Sequence, residues 1–180
     1  MASPTNSTTG QDNILLQEWT GPYGGVPAFD KMEVADIQSA VEYGMEENLK
    51  EIEAIANNEA APTFENTIEA MEKSGEIINK VTSAFFNLNS ANTNDEMQSI
   101  AQEISPLLTA HGNDIMMNKE LFNRIKIVHA SSFEGFTKEQ KTLLTKTYKS
   151  YVRNGANLSD DDKKRLREID TQKAQLSLTF

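Results

Sequence analysis

The stretch PTFENTIEAMEKSGEIINKVTSAFFNLNSANTNDEM, Pro62 to Met97, constrains the fold more than any other part of the chain. Phe64, Ile68, Met71, Gly75, Ile78 and Phe85 recur in steps of three and four, with Thr82 the one polar member, so they share one face of a helix. Ile77, Val81, Ala84 and Leu88 repeat the spacing one position earlier and widen the apolar face, which predicts burial on several sides from about Ile77. Pro62 and Thr63 mark the start of this long helix, with Thr63 as N-cap and Glu65 near the positive end of the dipole. The helix is expected to stop in Asn89–Asn92. Thr93 and Glu96 then form a capping box that opens the next helix. The core is expected to centre on Phe85, with Ile78, Val81 and Leu88 around it, and the rest of the chain to pack on this unit.

The flanking sequence has the same character. Ile37, Val41, Met45, Leu49, Ile52 and Ile55 predict an amphipathic helix over Val34 to Asn57, with its glutamates mostly on the other face. After Thr93, the row Met97, Ile100, Ala101, Ile104, Leu107 and Leu108 predicts a helix that Pro106 should kink or split, because proline lacks the amide that would bond residue 102. Leu121, Phe122, Ile125 and Val128 predict a helix over about Lys119 to His129. Thr137 and Gln140 form a second capping box, opening a helix with Leu143, Leu144, Tyr148, Tyr151 and Val152 inward and Gly155 as its stop. A last helix starts at Ser159, with Asp160, Asp161 and Asp162 in its first turn, and runs uncapped to Phe180. Before all of these, Ile14 to Phe29 is too rich in Gly and Pro for a regular helix and reads as an extended arm pinned by Leu15, Leu16, Trp19 and Tyr23. The fold class is therefore all-α: about six helices in an irregular antiparallel array, with an extended N-terminal arm.

Several functions are excluded by composition. With no cysteine among 180 residues, thiolate catalysis, cysteine-based zinc sites and disulfides are impossible. A net charge of −10 argues against a nucleic-acid surface, and no apolar run reaches the roughly 20 residues that span a membrane. Residues 1–13 are rich in Ser, Thr, Asn and Gly and read as a disordered leader or linker. A tether of that kind suits a periplasmic or cell-envelope protein, with the cytoplasm as the alternative.

The chemistry-bearing residues do not form a recognisable set. Gly21, Gly24 and Gly25 lack the Lys-Ser/Thr that would follow in a phosphate loop. Glu46, Glu47, Glu51 and Glu53 have no Glu-x-x-His partner, because Leu108 and Lys126 stand three residues before His111 and His129; a solvated acidic face is the simpler reading. His111 ends an apolar row and reads as a packing or capping histidine. His129 sits in a last helical turn, where a cation complements the dipole. Tyr148 and Tyr151 read as core aromatics. No catalytic, cofactor-binding or metal-ligating residue is assigned.

Read as text, several blocks resemble the N-terminal region of the bacterial peptidyl-dipeptidases, in the thimet oligopeptidase-like family of zinc metallopeptidases. They are PAFD at Pro27–Asp30, EIEAIANN at Glu51–Asn58, PTFENTIEAMEKSGE at Pro62–Glu76, FFNLNSANTNDE at Phe85–Glu96, KELFNRI at Lys119–Ile125, RNGANLSDDDKKRL at Arg153–Leu166 and the terminal LTF. The resemblance runs in order from about Ile14 to Phe180. It implies a helical chain several hundred residues long, whose two halves flank a channel admitting short peptides. It also implies a zinc ion held by a His-Glu-x-x-His helix and a downstream Glu in the later half. No residue here matches that motif, so the resemblance places zinc and catalysis outside this chain. Residues 14–180 would then be the N-terminal helical domain, one wall of the channel, with the catalytic half of the same polypeptide as partner and short peptides as substrate. The competing reading is a non-enzymatic helical module that binds a partner helix in an apolar groove.

Overall fold

In the computed structural model, which describes residues 13–21, 25–131 and 134–177, all regular structure among the described residues is helical. α1 spans Val34–Ala56. A π-helical turn, Phe64–Glu69, leads into a single short turn, α2, Ala70–Lys73. There follow α3 (Glu76–Ala91), α4 (Asp95–Met116), α5 (Lys119–Ala130), α6 (Lys138–Arg153) and α7 (Asp160–Ser177). The all-α expectation holds, with six α-helices of 12 residues or more.

The chain divides into two compact units. One comprises the described residues up to Glu47 together with Gly75–Ile104; the other comprises Asn48–Ser74 and the chain from Ser105 onward. α1 and α4 each contribute residues to both.

This division corrects the expectation of one continuous helix from Phe64 to Leu88. Ser74 is extended (φ −79°, ψ 157°) and Gly75 is left-handed (φ 76°), so the helix breaks between α2 and α3. Ser74 Oγ donates to Met71 O at 2.8 Å and closes the end of α2, while Gly75 supplies a conformation that costs a side-chain-bearing residue about 1 kcal/mol or more. The periodicity ran on unbroken because glycine counts as a small residue on the apolar face and equally serves as a turn.

Within the first unit, Val81 and Phe85 are fully enclosed and Ile78 and Ala84 nearly so, whereas Leu88 is half-buried. The Phe85 ring meets Phe86 at 5.0 Å between centroids. α1 contributes buried Ile37, Ala40 and Val41. At Gly44 α1 and α3 come close together: a Cβ there would lie 3.0 Å from Ile78 Cα and 3.1 Å from its nitrogen. The arm is anchored by Asn13, whose Nδ2 donates to Asp36 O (2.7 Å) and Ser39 Oγ (3.1 Å) and whose Oδ1 accepts from Leu15 N (2.9 Å). Asn13 and Leu15 are buried, Leu16 and Trp19 half-buried; Tyr23 and the leader residues 1–12 lie outside the described residues.

The second unit has its own apolar cluster, in which Phe64 and Ile68 of the π-helical turn meet Ile52, Leu121, Phe122, Ile125, Val128, Leu144 and Tyr151. The polypeptide thus carries two hydrophobic centres rather than one focused on Phe85.

Capping follows the expected chemistry with one shift. Thr63 and Asn66 form a reciprocal capping box, as do Thr137 and Gln140. The box expected at Thr93 and Glu96 does not form: Asn94 Oδ1 accepts from Met97 N at 2.8 Å, one residue later, while Thr93 Oγ1 donates to Asn89 Oδ1. Asn is as good an N-cap as Thr, and here the apolar residue Met97 decides the register. Pro106 does not split α4, which continues across it, although the two units divide immediately before, at Ile104 and Ser105.

Candidate functional site

The charged side chains buried in the second unit serve backbone ends. Arg124, only 6% exposed, lies on the same face of α5 as Leu121 and Val128. Its Nη1 donates to Asn58 O (2.7 Å) and Ala60 O (3.1 Å), and its Nη2 to Asn66 Oδ1 (2.9 Å). The same Asn66 oxygen accepts from Thr63 N, so one guanidinium fixes both the loop after α1 and the cap of the π-helical turn. Arg124 Nε is buried with no partner. Among the described residues no carboxylate pairs with this charge; three oxygen acceptors receive it, which is how a buried cation escapes the full desolvation penalty.

The carboxyl-terminal end of α4 is held in a similar way. Lys163, 7% exposed, donates to Met117 O at 3.1 Å, and Arg167, one turn later on α7, donates to Asp114 Oδ1 (2.6 Å) and Asn113 O (3.3 Å). Two cations spaced i, i+4 therefore meet the negative end of the α4 dipole. Burial pulls the Lys163 ammonium below its ordinary range, assisted by Lys119 and opposed by Asp160. Lys119 and Asp160 form an exposed ion pair at 2.7 Å that joins the starts of α5 and α7.

His111 and His129 are not brought together. His111 Nε2 lies 3.0 Å from Asn48 Oδ1, an acceptor, which sets the neutral tautomer with its proton on Nε2. Nδ1 is buried without a partner, so protonation would strand an N–H. Burial accordingly holds His111 below its ordinary pKa, with Asp114 acting weakly the other way. His129 stacks on Tyr148 with ring centroids 4.0 Å apart, and Tyr148 and Tyr151 both stack on Phe122, at 5.9 and 6.1 Å. The core reading of the tyrosines holds: Tyr151 is enclosed, and burial holds its phenol far above the usual range. Among the described residues no group of three or more His, Asp or Glu side chains is placed to hold a metal ion. With one imidazole bonded to an asparagine and the other packed in an aromatic stack, this donor set does not fit a zinc ion.

In the first unit, the arm and the segment before α1 enclose a cleft of about 580 Å³, bordered by Ile14, Trp19, Val26, Pro27 and Phe29. Two of the lining residues are held by Lys80, whose Nζ lies 4.7 Å from the Trp19 ring centroid and donates to Gln17 O. Gly21 and Gly25 are steric necessities here, because a Cβ on either would come within 2.6 or 2.7 Å of a carbonyl oxygen, of Val26 or of Trp19. Their role is a tight turn. Gly24 lies outside the described residues.

Arg124, Lys163, Arg167 and Asn48 escaped the sequence reading. The one available signal was a cation falling within an apolar helical row, as Arg124 does between Leu121, Ile125 and Val128.

These observations define a protein whose regular structure, among the described residues, is helical and whose buried polar groups hold the fold. No protein-family profile matches the chain. Dipeptidyl carboxypeptidases of Salmonella typhimurium and Escherichia coli are each 37% identical to it over 169 residues, 93% of this chain and 25% of theirs. Oligopeptidase A of Haemophilus influenzae is 24% identical over 157 residues, 87% of this chain and 23% of its own. The chain is thus similar to bacterial dipeptidyl carboxypeptidases and spans about a quarter of their length.

Proposed function

We propose that this chain is the N-terminal helical part of a zinc metallopeptidase that removes dipeptides from the carboxyl ends of short peptides, and that it forms one wall of the substrate channel. The observation that carries the reading is the 37% identity extending over 93% of the chain while covering only a quarter of the relatives. A match that is nearly complete on one side and partial on the other is what a structural portion of a larger peptidase would give. In this reading the zinc, which polarises the scissile carbonyl and activates water when bound, is held by residues of the remaining polypeptide. The helices described here contribute shape: two apolar cores and polar clamps such as Arg124 keep the wall rigid, so that folded substrates are refused.

Two measurements test this. Translation of the gene beyond codon 180 is expected to run into a His-Glu-x-x-His helix. Calorimetry of this chain with zinc is expected to detect only loose, non-stoichiometric association, because among the described residues no group of three or more His, Asp or Glu side chains is placed to hold the ion. Stoichiometric submicromolar zinc binding lost on mutating His111 or His129 would contradict the assignment.

A further inference from the structure

The outer face of α6 is unlike the rest of this acidic protein. The helix carries Lys138, Lys141, Lys146, Lys149 and Arg153 against one carboxylate, Glu139, a net of +4 in a chain of net charge −10. At about 100° per residue, the five cations fall within roughly 140° of arc, together with Thr142, Thr145 and Val152. That arc lies opposite the buried Leu144 and Tyr151. All five cations are exposed, and none forms an ion pair among the described residues. Like charges at i, i+3 and i, i+4 weaken a helix on its own, as Lys138/Lys141, Lys146/Lys149 and Lys149/Arg153 do here. α7, by contrast, intersperses its cations with Asp and Glu and pairs Arg165 with Glu168.

We propose that this face of α6 docks an acidic helix of a partner protein. The stripe is about 22 Å long at 1.5 Å per residue, which matches four turns of a helix presenting carboxylates. Between the charges runs a shallow groove of about 520 Å³ lined by Lys138, Lys141, Thr142, Thr145 and Lys146. Its floor of lysine stems and threonine methyls suits aliphatic side chains flanking those carboxylates. A nucleic acid is matched less well: four of the five cations are lysines rather than the forked arginines that grip phosphate, and no aromatic stands on the arc to stack a base. A membrane is matched less well too, because the arc has no Trp, Phe or Leu to enter the acyl boundary.

The test uses the intact chain and a labelled helical peptide with glutamates at i, i+4, i+7 and i+11. Fluorescence anisotropy at low salt should saturate, and the affinity should fall steeply as salt is added. The variant K138Q/K141Q/K146Q/K149Q should bind at least about tenfold more weakly. Neutralising two exposed lysines of α7, K164Q/K173Q, should change binding by less than about twofold. The smaller charge reversal K146E/K149E should weaken binding in the same direction, with helix content by circular dichroism unchanged. No binding to the folded chain, an equal loss in the α7 control, or tighter binding of an oligodeoxynucleotide or of phosphatidylserine vesicles would overturn the proposal.

Discussion

Two buried polar groups in the second unit differ in what their loss should do. The Tyr151 hydroxyl is enclosed and has no hydrogen-bond partner, so the folded protein bears its desolvation uncompensated. Tyr151→Phe keeps the ring stacked on Phe122 and removes that cost, so denaturant titration should find the variant equal in stability or up to about 1 kcal/mol more stable. A loss above about 1 kcal/mol would mean the hydroxyl has a partner. His111 is held below its ordinary pKa of 6.5 chiefly by burial. The unfolded chain therefore binds the proton first as pH falls. The stabilising contribution is fully present above about 6.5 and is lost as pH drops through the lower, folded value. His111→Gln, which can still donate to Asn48, removes this titration. The wild type should therefore lose stability relative to the variant as pH falls from about 6.5 to 5, with no relative change between pH 8 and about 7, and a constant difference throughout would show that the His111 pKa is the same in the folded and unfolded chains.

Between elements, the close contact at Gly44 has the clearest consequence. A methyl group there would press on Ile78 Cα and nitrogen, backbone atoms that cannot rotate away, so α1 and α3 would have to separate. Gly44→Ala should cost about 1–3 kcal/mol, despite alanine's better helix propensity of up to about 1 kcal/mol. A stabilised variant would contradict the packing. The same contact illustrates what could be read in advance. Helix existence and most helix ends were legible, because amphipathic rows and caps such as Thr63, Thr137 and Gly155 act within a few residues. The break at Gly75 was not, since its apolar row continues through the turn. Gly44 sits within a run that reads as an ordinary surface-to-core helix; only the approach of a second helix gives it meaning. The roles of Arg124, Lys163 and Arg167 were not legible either, because their partners are oxygens 46 to 66 residues away.

At the scale of the whole molecule, two hydrophobic centres and backbone-directed cations among the described residues supply rigidity, and the dipeptidyl carboxypeptidases that the chain is similar to are roughly four times its length. The lack of a recognisable catalytic set in the sequence gained meaning only beside the family resemblance, which implies that zinc and the reacting groups lie outside this chain. The most direct measurement is peptidase activity by parts. This chain and the segment encoded after it would be expressed separately and together, and dipeptide release from short peptides followed by chromatography. The account predicts release from the co-expressed pair and none from either piece alone. Full activity of the downstream segment in the absence of this chain would contradict it.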